Sequence, residues 1–141
     1  MANIQSVHLD IIIHATEDVD KILKSLHQTL DVHPDNFDIS QTRGHYHNPI
    51  MMAAATLRKK DAARFIRALC KRLGRYQRDE IIRTISTRIS SSSLYLRLDR
   101  QEIVHSGGVM LQDSGTIRVK IHMPIHAGRA EDAFTEMLSL Y

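Results

Sequence analysis

Basic residues at helical spacing are the feature of this 141-residue sequence that points most directly to chemistry. Four of them follow one another at intervals of four, three and four residues, so they lie on one face of a predicted helix. They are Lys60, Arg64, Arg67 and Lys71, and Arg75 extends the series. Ammonium and guanidinium groups bind phosphate, and arginine does so through two parallel hydrogen bonds. The spacing therefore predicts a phosphate-binding helix face, with a plain solvated face as the alternative.

The distribution of charge along the chain supports the phosphate interpretation. Residues 58–88 hold eleven Lys and Arg against three Asp and Glu, a net charge of +8. The remaining residues hold eight bases and thirteen acids, so the net charge of the whole chain is only +3. Concentrated positive charge is typical of surfaces that bind polyanions, because each neutralised phosphate releases condensed counterions.

A second candidate is the segment at residues 43–49, which reads RGHYHNP and predicts a turn between its glycine and its proline. This turn presents a cation (Arg43), an aromatic ring (Tyr46) and two imidazoles (His45 and His47). Such groups stack on unpaired bases and hydrogen-bond to phosphate or to a 2′-hydroxyl. A purely structural turn is one alternative. A metal site is another, although two histidines alone do not complete a ligand set, so no metal or cofactor is expected.

A third candidate is a predicted strand with the alternating sequence YLRLD at residues 95–99. The alternation places Tyr95, Arg97 and Asp99 on one face, where Tyr95 beside an arginine is a platform for base stacking. The alternative is an exposed sheet face on which Asp99 pairs with Arg97 or Arg100, an arrangement that contributes little energy.

Alternation and helical spacing of apolar residues predict the elements that position these groups. Strands are expected at residues 7–15, 37–42, 50–57 and 94–98, and in a hairpin formed by residues 109–112 and 116–123. Helices are expected at residues 16–30, 62–73, 77–89 and 129–140, the first capped by Thr16 and the second by Asp61. Residues 99–105 can form one further short helix, which the order below leaves out. Gly74 is expected to end the second helix.

The order, roughly βαββααβββα, predicts a two-layer α+β fold with a mainly antiparallel sheet and helices packed on one face. The length suits one domain spanning residues 1–141. No apolar run is long enough to span a bilayer. The single Cys70 excludes an internal disulfide and fits a reducing compartment, so a cytoplasmic location is expected.

Three segments together resemble a known family of small archaeal RNA-binding proteins, described as predicted exosome-associated subunits. The segments are residues 14–18 (HATED), 44–50 (GHYHNPI) and 95–101 (YLRLDRQ), and the resemblance covers about residues 7–123. It implies a fold similar to that of the ribosomal protein that carries 5S RNA. The sequence departs from the family pattern at His47, where glycine is usual, and at Arg100, where lysine is frequent.

These observations favour a non-catalytic protein that binds structured RNA, such as ribosomal or transfer RNA. The cations of the predicted helix face would supply phosphate affinity. Selectivity would come from stacking and 2′-hydroxyl contacts of five residues: Arg43, His45, Tyr46, Arg97 and Arg100. The resemblance implies a context with exosome or ribosome-associated proteins. Two alternatives stay open. One is a protein–protein adaptor in an RNA-processing complex. The other is a metal-independent ribonuclease that uses two of His14, His45, His47 and His122 as acid and base.

Overall fold

The computed structural model describes residues 4, 6–43, 49–124 and 129–141, with the backbone alone at residues 42 and 43. The strands are β1 (Ser6–His14), β2 (Phe37–Arg43), β3 (Pro49–Arg58), β4 (Ile89–Ser90), β5 (Ser93–Leu98) and β6 (Ile117–His122). The helices are α1 (Val19–Leu30), α2 (Lys59–Arg83), α3 (Ile85–Arg88), α4 (Arg100–Ser106) and α5 (Ala130–Ser139). A 3₁₀ turn, Pro34–Asn36, precedes β2.

The six strands form one open sheet in the order β2-β3-β1-β6-β5-β4, and every pairing is antiparallel. Alternate residues of β1 are buried, among them Leu9, Ile11 and Ile13. The same alternation buries Leu94, Leu96 and Leu98 of β5 and Ile117, Val119 and Ile121 of β6. The apolar sides of the helices join these residues in a single core. The predicted α+β class, with helices packed against an antiparallel sheet, is confirmed.

Two predicted helix caps are wrong. The carboxylate of Asp18, rather than Thr16, accepts the hydrogen bond from the backbone N–H of Lys21 at 3.2 Å, because a backbone turn from His14 to Glu17 delays the start of α1. Helix α2 follows β3 directly, with Arg58 at its cap position and no side-chain cap. Asp61 therefore lies inside the first turn of α2.

Gly74 interrupts α2 as expected, with φ of 74° and ψ of 169°, but the chain resumes its helix at once. The second half of α2 ends at Arg83, and the short α3 then ends at Arg88. The helix predicted over residues 77–89 is therefore two helices. Ile89 and Ser90 instead form β4, which turns through Ser91 and Ser92 into β5.

The predicted hairpin between residues 109–112 and 116–123 is wrong. Strand β6 has β1 on one side and β5 on the other, so both of its edges are occupied. Residues 109–112 run instead along the outer edge of β5, where Leu111 forms an isolated bridge with Leu98. The two segments are close in sequence, which suggested that they pair with each other. Strand β6 pairs instead with β1 and β5, which lie farther away in sequence.

The helices of the described part of the chain are all too short or too polar to cross a membrane.

Candidate nucleic-acid interface

Helix α2 carries the predicted cations on its solvent side. Its buried residues include Phe65, Ile66 and Leu69, which pack into the core. The cations at the predicted positions are all exposed: Lys60, Arg64, Arg67, Lys71 and Arg75, called here the basic surface. The apolar stripe thus fixes the direction in which the four cations before the Gly74 kink face, which is away from the sheet.

Acidic neighbours compensate little of this positive charge. Arg64 pairs with Asp61 at 3.2 Å, and Arg75 approaches Asp79 at 3.8 Å. Both pairs are exposed, so each contributes little energy and is easily exchanged for a phosphate. The other three cations of the basic surface make no ion pair with any residue that the structure describes.

Two further arginines of the same helix serve the fold. Arg72 donates a hydrogen bond to the carbonyl of Gly107 at 3.1 Å. Beyond the kink, Arg78 donates to the carbonyl oxygens of Leu138 and Tyr141 and so fastens the end of the chain to α2. The high charge of residues 58–88 therefore overstates the number of cations that are free to bind a ligand.

Among the predicted contact residues whose side chains the structure describes, Arg100 has the least access to solvent. Its guanidinium donates to the carbonyl of Ile12 at 2.6 Å and pairs with Glu17 at 2.6 Å, and its side chain is only 12% exposed. Asp99, predicted to share a strand face with Tyr95, instead caps α4 by accepting from the backbone N–H of Glu102. Arg100 thus joins two of the three sequence motifs, those at residues 14–18 and 95–101, at one end of the sheet.

The third motif falls mostly outside the described residues, which exclude His45, Tyr46 and His47. The strands that flank it are described. Arg43 pairs with Pro49, and Ile50 pairs with His14 at the end of β1. The ends of β2 and β1 and the start of β3 therefore lie at the same end of the sheet as Arg100.

The open face of the sheet carries functional groups that the sequence motifs did not include. Cross-strand pairing sets Tyr95 opposite Lys120 and Arg97 opposite Arg118. The ammonium of Lys120 lies 5.8 Å from the centre of the Tyr95 ring, a cation–π contact. The sequence predicts that Arg118 and Lys120 share a face, because they alternate with apolar residues. It does not predict that they lie opposite Tyr95 and Arg97, because that depends on which strands are neighbours in the sheet.

His8 lies on this open face, between β3 and β6. Burial lowers the pKa of its imidazole, and the nearby charges of Lys120 and Arg58 lower it further. Its Nδ1 lies 3.1 Å from the hydroxyl of Thr56. A neutral imidazole at this position avoids adding a charge that its neighbours would repel.

The histidines proposed for catalysis do not converge where they are described. His122 lies beside Ser6 at the start of β1, and His14 is the last residue of that strand. Eight residues of extended chain separate these positions, which is about 26 Å. His14 and His122 therefore cannot act on one phosphate. The described residues also contain no group of three or more His, Cys, Asp or Glu that could hold a metal ion.

Cys70 is buried beside the apolar stripe of α2, and burial raises the pKa of its thiol to about 11. A thiol with so high a pKa stays protonated at neutral pH, so it is a poor nucleophile.

Comparisons with known proteins identify the family of the chain. A family model described as RNA binding matches residues 6–123. Protein AF2318 from Archaeglobus fulgidus, of family DUF54, is 28% identical with a TM-score of 0.78, and the match covers 96% of this chain and 99% of that chain. The DUF54 protein Mth689 from Methanothermobacter thermautotrophicus is 22% identical with a TM-score of 0.76, and the match covers 96% of each chain.

Among curated proteins, the chain is 24% identical to MJ0213 from Methanocaldococcus jannaschii, over 70% of each chain. The relatives are archaeal, and the family match extends from β1 to the residue after β6. This chain belongs to the RNA-binding family that includes the archaeal DUF54 proteins.

Proposed function

We propose that the protein is a non-catalytic RNA-binding protein that holds the phosphates of a structured RNA on the basic surface of α2. The observation that carries the proposal is the set of exposed cations without acidic partners in the described chain: Lys60, Arg67 and Lys71. Eleven helical residues separate the first from the last, a span of about 17 Å. Folded RNA, such as ribosomal or transfer RNA, presents phosphates at fixed positions that suit such a rigid row.

In this proposal, selectivity for RNA comes from the end of the sheet at which Arg100 lies. The segment at residues 44–48, which the sequence predicts to be a turn, contributes His45, Tyr46 and His47, next to Arg43, as groups for stacking and for 2′-hydroxyl contacts. Arg100 holds the strand ends in place instead of touching RNA, since its hydrogen bonds are made within the protein. The association with exosome or ribosome-associated proteins rests on the family resemblance alone.

The test is binding of fluorescent RNA and of DNA with the same sequence, each as duplex and as single strand, over a series of salt concentrations. We expect tight binding that weakens steeply with salt and favours RNA over DNA, because only RNA offers the 2′-hydroxyl. Weak binding of every form at low salt would contradict the proposal and favour the adaptor alternative. Co-purification of a protein partner after nuclease treatment would then be the next experiment.

A further inference from the structure

A depression of about 480 Å³ lies at the outer edge of β5. Its walls come from the second half of α2, from α3, from β5 and from the segment at residues 111–113. We propose that this depression takes one unpaired nucleotide of the bound RNA, with the base stacked on Tyr95. The proposal rests on the proposed function and extends it, because it names the RNA feature that a second part of the protein binds. The volume lies within the range of about 300–1,000 Å³ that is usual for ligand sites.

Tyr95 supplies the stacking wall. It is 43% exposed and lines both the 480 Å³ depression and a smaller one on the open face of the sheet. Lys120 lines only the smaller depression, so its ammonium lies on that side of the ring. The cation–π contact with Lys120 restrains the Tyr95 ring on one side, and the larger depression leaves space for a base on the other side. A base stacks on such a ring whatever its sequence, because every base has a π face.

Two arginines provide charge for the phosphates next to that base. Arg88 donates through Nε to the hydroxyl of Thr84 at 2.8 Å, and Arg97 donates through Nε to the carbonyl of Gly115 at 2.9 Å. Both side chains line the depression, and neither forms an ion pair with a described residue. Each guanidinium is thus oriented through one nitrogen, and its terminal nitrogens remain available for phosphate.

The opposite wall carries polar groups that suit the edge of a base. Gln112 and Asp113 are exposed, and their side chains make no hydrogen bond to the described part of the protein. An amide offers both a donor and an acceptor, and a carboxylate accepts from amino or imino groups. An unpaired base can bring its Watson–Crick edge to these groups, whereas a base inside a duplex cannot.

The backbone of this wall is held in place by hydrogen bonds within the protein. The amide of Gln77 donates to the carbonyl of Val109 at 2.7 Å and accepts from the backbone N–H of Leu111 at 2.8 Å. The next residue, Gln112, donates its backbone N–H to the carbonyl of Arg97 at 3.0 Å. Helix α2 and strand β5 therefore hold the segment from two sides, which lowers the entropy cost of binding.

The test uses tryptophan fluorescence, because the chain contains no tryptophan. Tyr95→Trp places an indole in the stacking wall. Tyr76→Trp is the matched control, since Tyr76 is 86% exposed on α2, outside the depression. The probes are a blunt RNA duplex, the same duplex with one bulged nucleotide, and a nucleoside 5′-monophosphate. We expect the bulged duplex to quench Tyr95→Trp at saturation, while the blunt duplex binds without quenching and Tyr76→Trp does not distinguish the two.

Affinity provides a second readout. Tyr95→Ala is expected to weaken binding of the bulged duplex by roughly 5- to 150-fold, whereas Tyr95→Phe keeps the ring and retains the affinity. Binding of the blunt duplex is expected to be the same in both variants. The monophosphate is expected to bind at least roughly tenfold more weakly than the bulged duplex, since it lacks the other phosphate contacts.

The outcomes separate this inference from the proposed function. Equal quenching by the blunt and the bulged duplex, or none by either although both bind, would overturn the nucleotide site and leave RNA binding intact. A monophosphate that binds as tightly as the bulged duplex would assign the depression to free nucleotides and overturn its role in RNA binding. Failure of both duplexes to bind would overturn the proposed function itself.

Discussion

Neutralising two cations of the basic surface should flatten the salt dependence of RNA binding. In the variant Arg67→Gln/Lys71→Gln, both changes fall on exposed side chains without ion pairs among the described residues. The fold should therefore be unaffected to within about 0.5 kcal/mol. Removing two like charges four residues apart should even favour the helix by a few tenths of a kcal/mol. Loss of affinity would then report on lost phosphate contacts.

The magnitude follows from the number of contacts. If the five cations of the basic surface each neutralise one phosphate, log K falls with log salt at a slope of about −4.5, using the coefficient for duplex DNA. Removing two contacts reduces the slope to about −2.7. Between 50 and 200 mM salt, affinity should then fall about 500-fold for the unchanged protein and about 40-fold for the variant.

Fluorescence anisotropy with an RNA hairpin, at four or more salt concentrations, measures both slopes. Lys24→Gln is the matched control, because it removes one exposed cation from α1, whose first turn is acidic. Its slope should match that of the unchanged protein. An unchanged slope in the double variant, with a native circular dichroism spectrum, would refute the reasoning and move the phosphate contacts away from α2.

Three further predictions concern the fold that supports these surfaces. Arg100→Met should lower the free energy of unfolding by about 2–3 kcal/mol in urea, because Glu17 and the carbonyl of Ile12 lose a charged hydrogen-bond donor. An unchanged urea midpoint would mean that the Arg100–Glu17 pair does not stabilise this end of the sheet. Gly74→Ala should cost about 1–3 kcal/mol in thermal unfolding. The cost is backbone strain at φ of 74°, since no described atom beyond the chain neighbours and the local helix backbone lies within 4 Å of the added Cβ, and a neutral result would show that the kink relaxes. Because burial lowers the pKa of His8, the folded state binds fewer protons than the unfolded state once the pH falls below the ordinary value of 6.5. Stability contributed by this group should therefore be present above that pH and be lost on acidification, and His8→Gln should flatten that part of the profile; a superimposable profile would contradict the assignment.

Local patterns were sufficient to predict most of the elements. Strict alternation identified β5 and β6, and the 3.6-residue period identified the buried side of α2 and therefore its basic side. Gly74 was recognisable because glycine tolerates positive φ. The residue that caps α1 was not recognisable, because Thr16 and Asp18 are both good capping residues and only the backbone turn at residues 14–17 decides between the two.

Pairing between strands distant in sequence limited how much of the sheet could be predicted. The neighbours of β6 are β1 and β5, and nothing in the sequence between residues 109 and 123 shows that both of its edges are already occupied. The approach of Lys120 to Tyr95 and the depression beside that ring depend on the same pairings. The contacts of Arg100 within the protein could not be predicted, because its partners, Ile12 and Glu17, lie more than eighty residues away in sequence.

The most direct test of the central claim is to map the RNA-contacting surface by NMR. Amide signals of the isotope-labelled protein would be followed during titration with an RNA hairpin. The largest shifts are predicted along α2 from Lys59 to Arg75, with α1 largely unchanged. Shifts that spare this part of α2 while the hairpin is bound would contradict the assignment of the basic surface as the RNA-binding site.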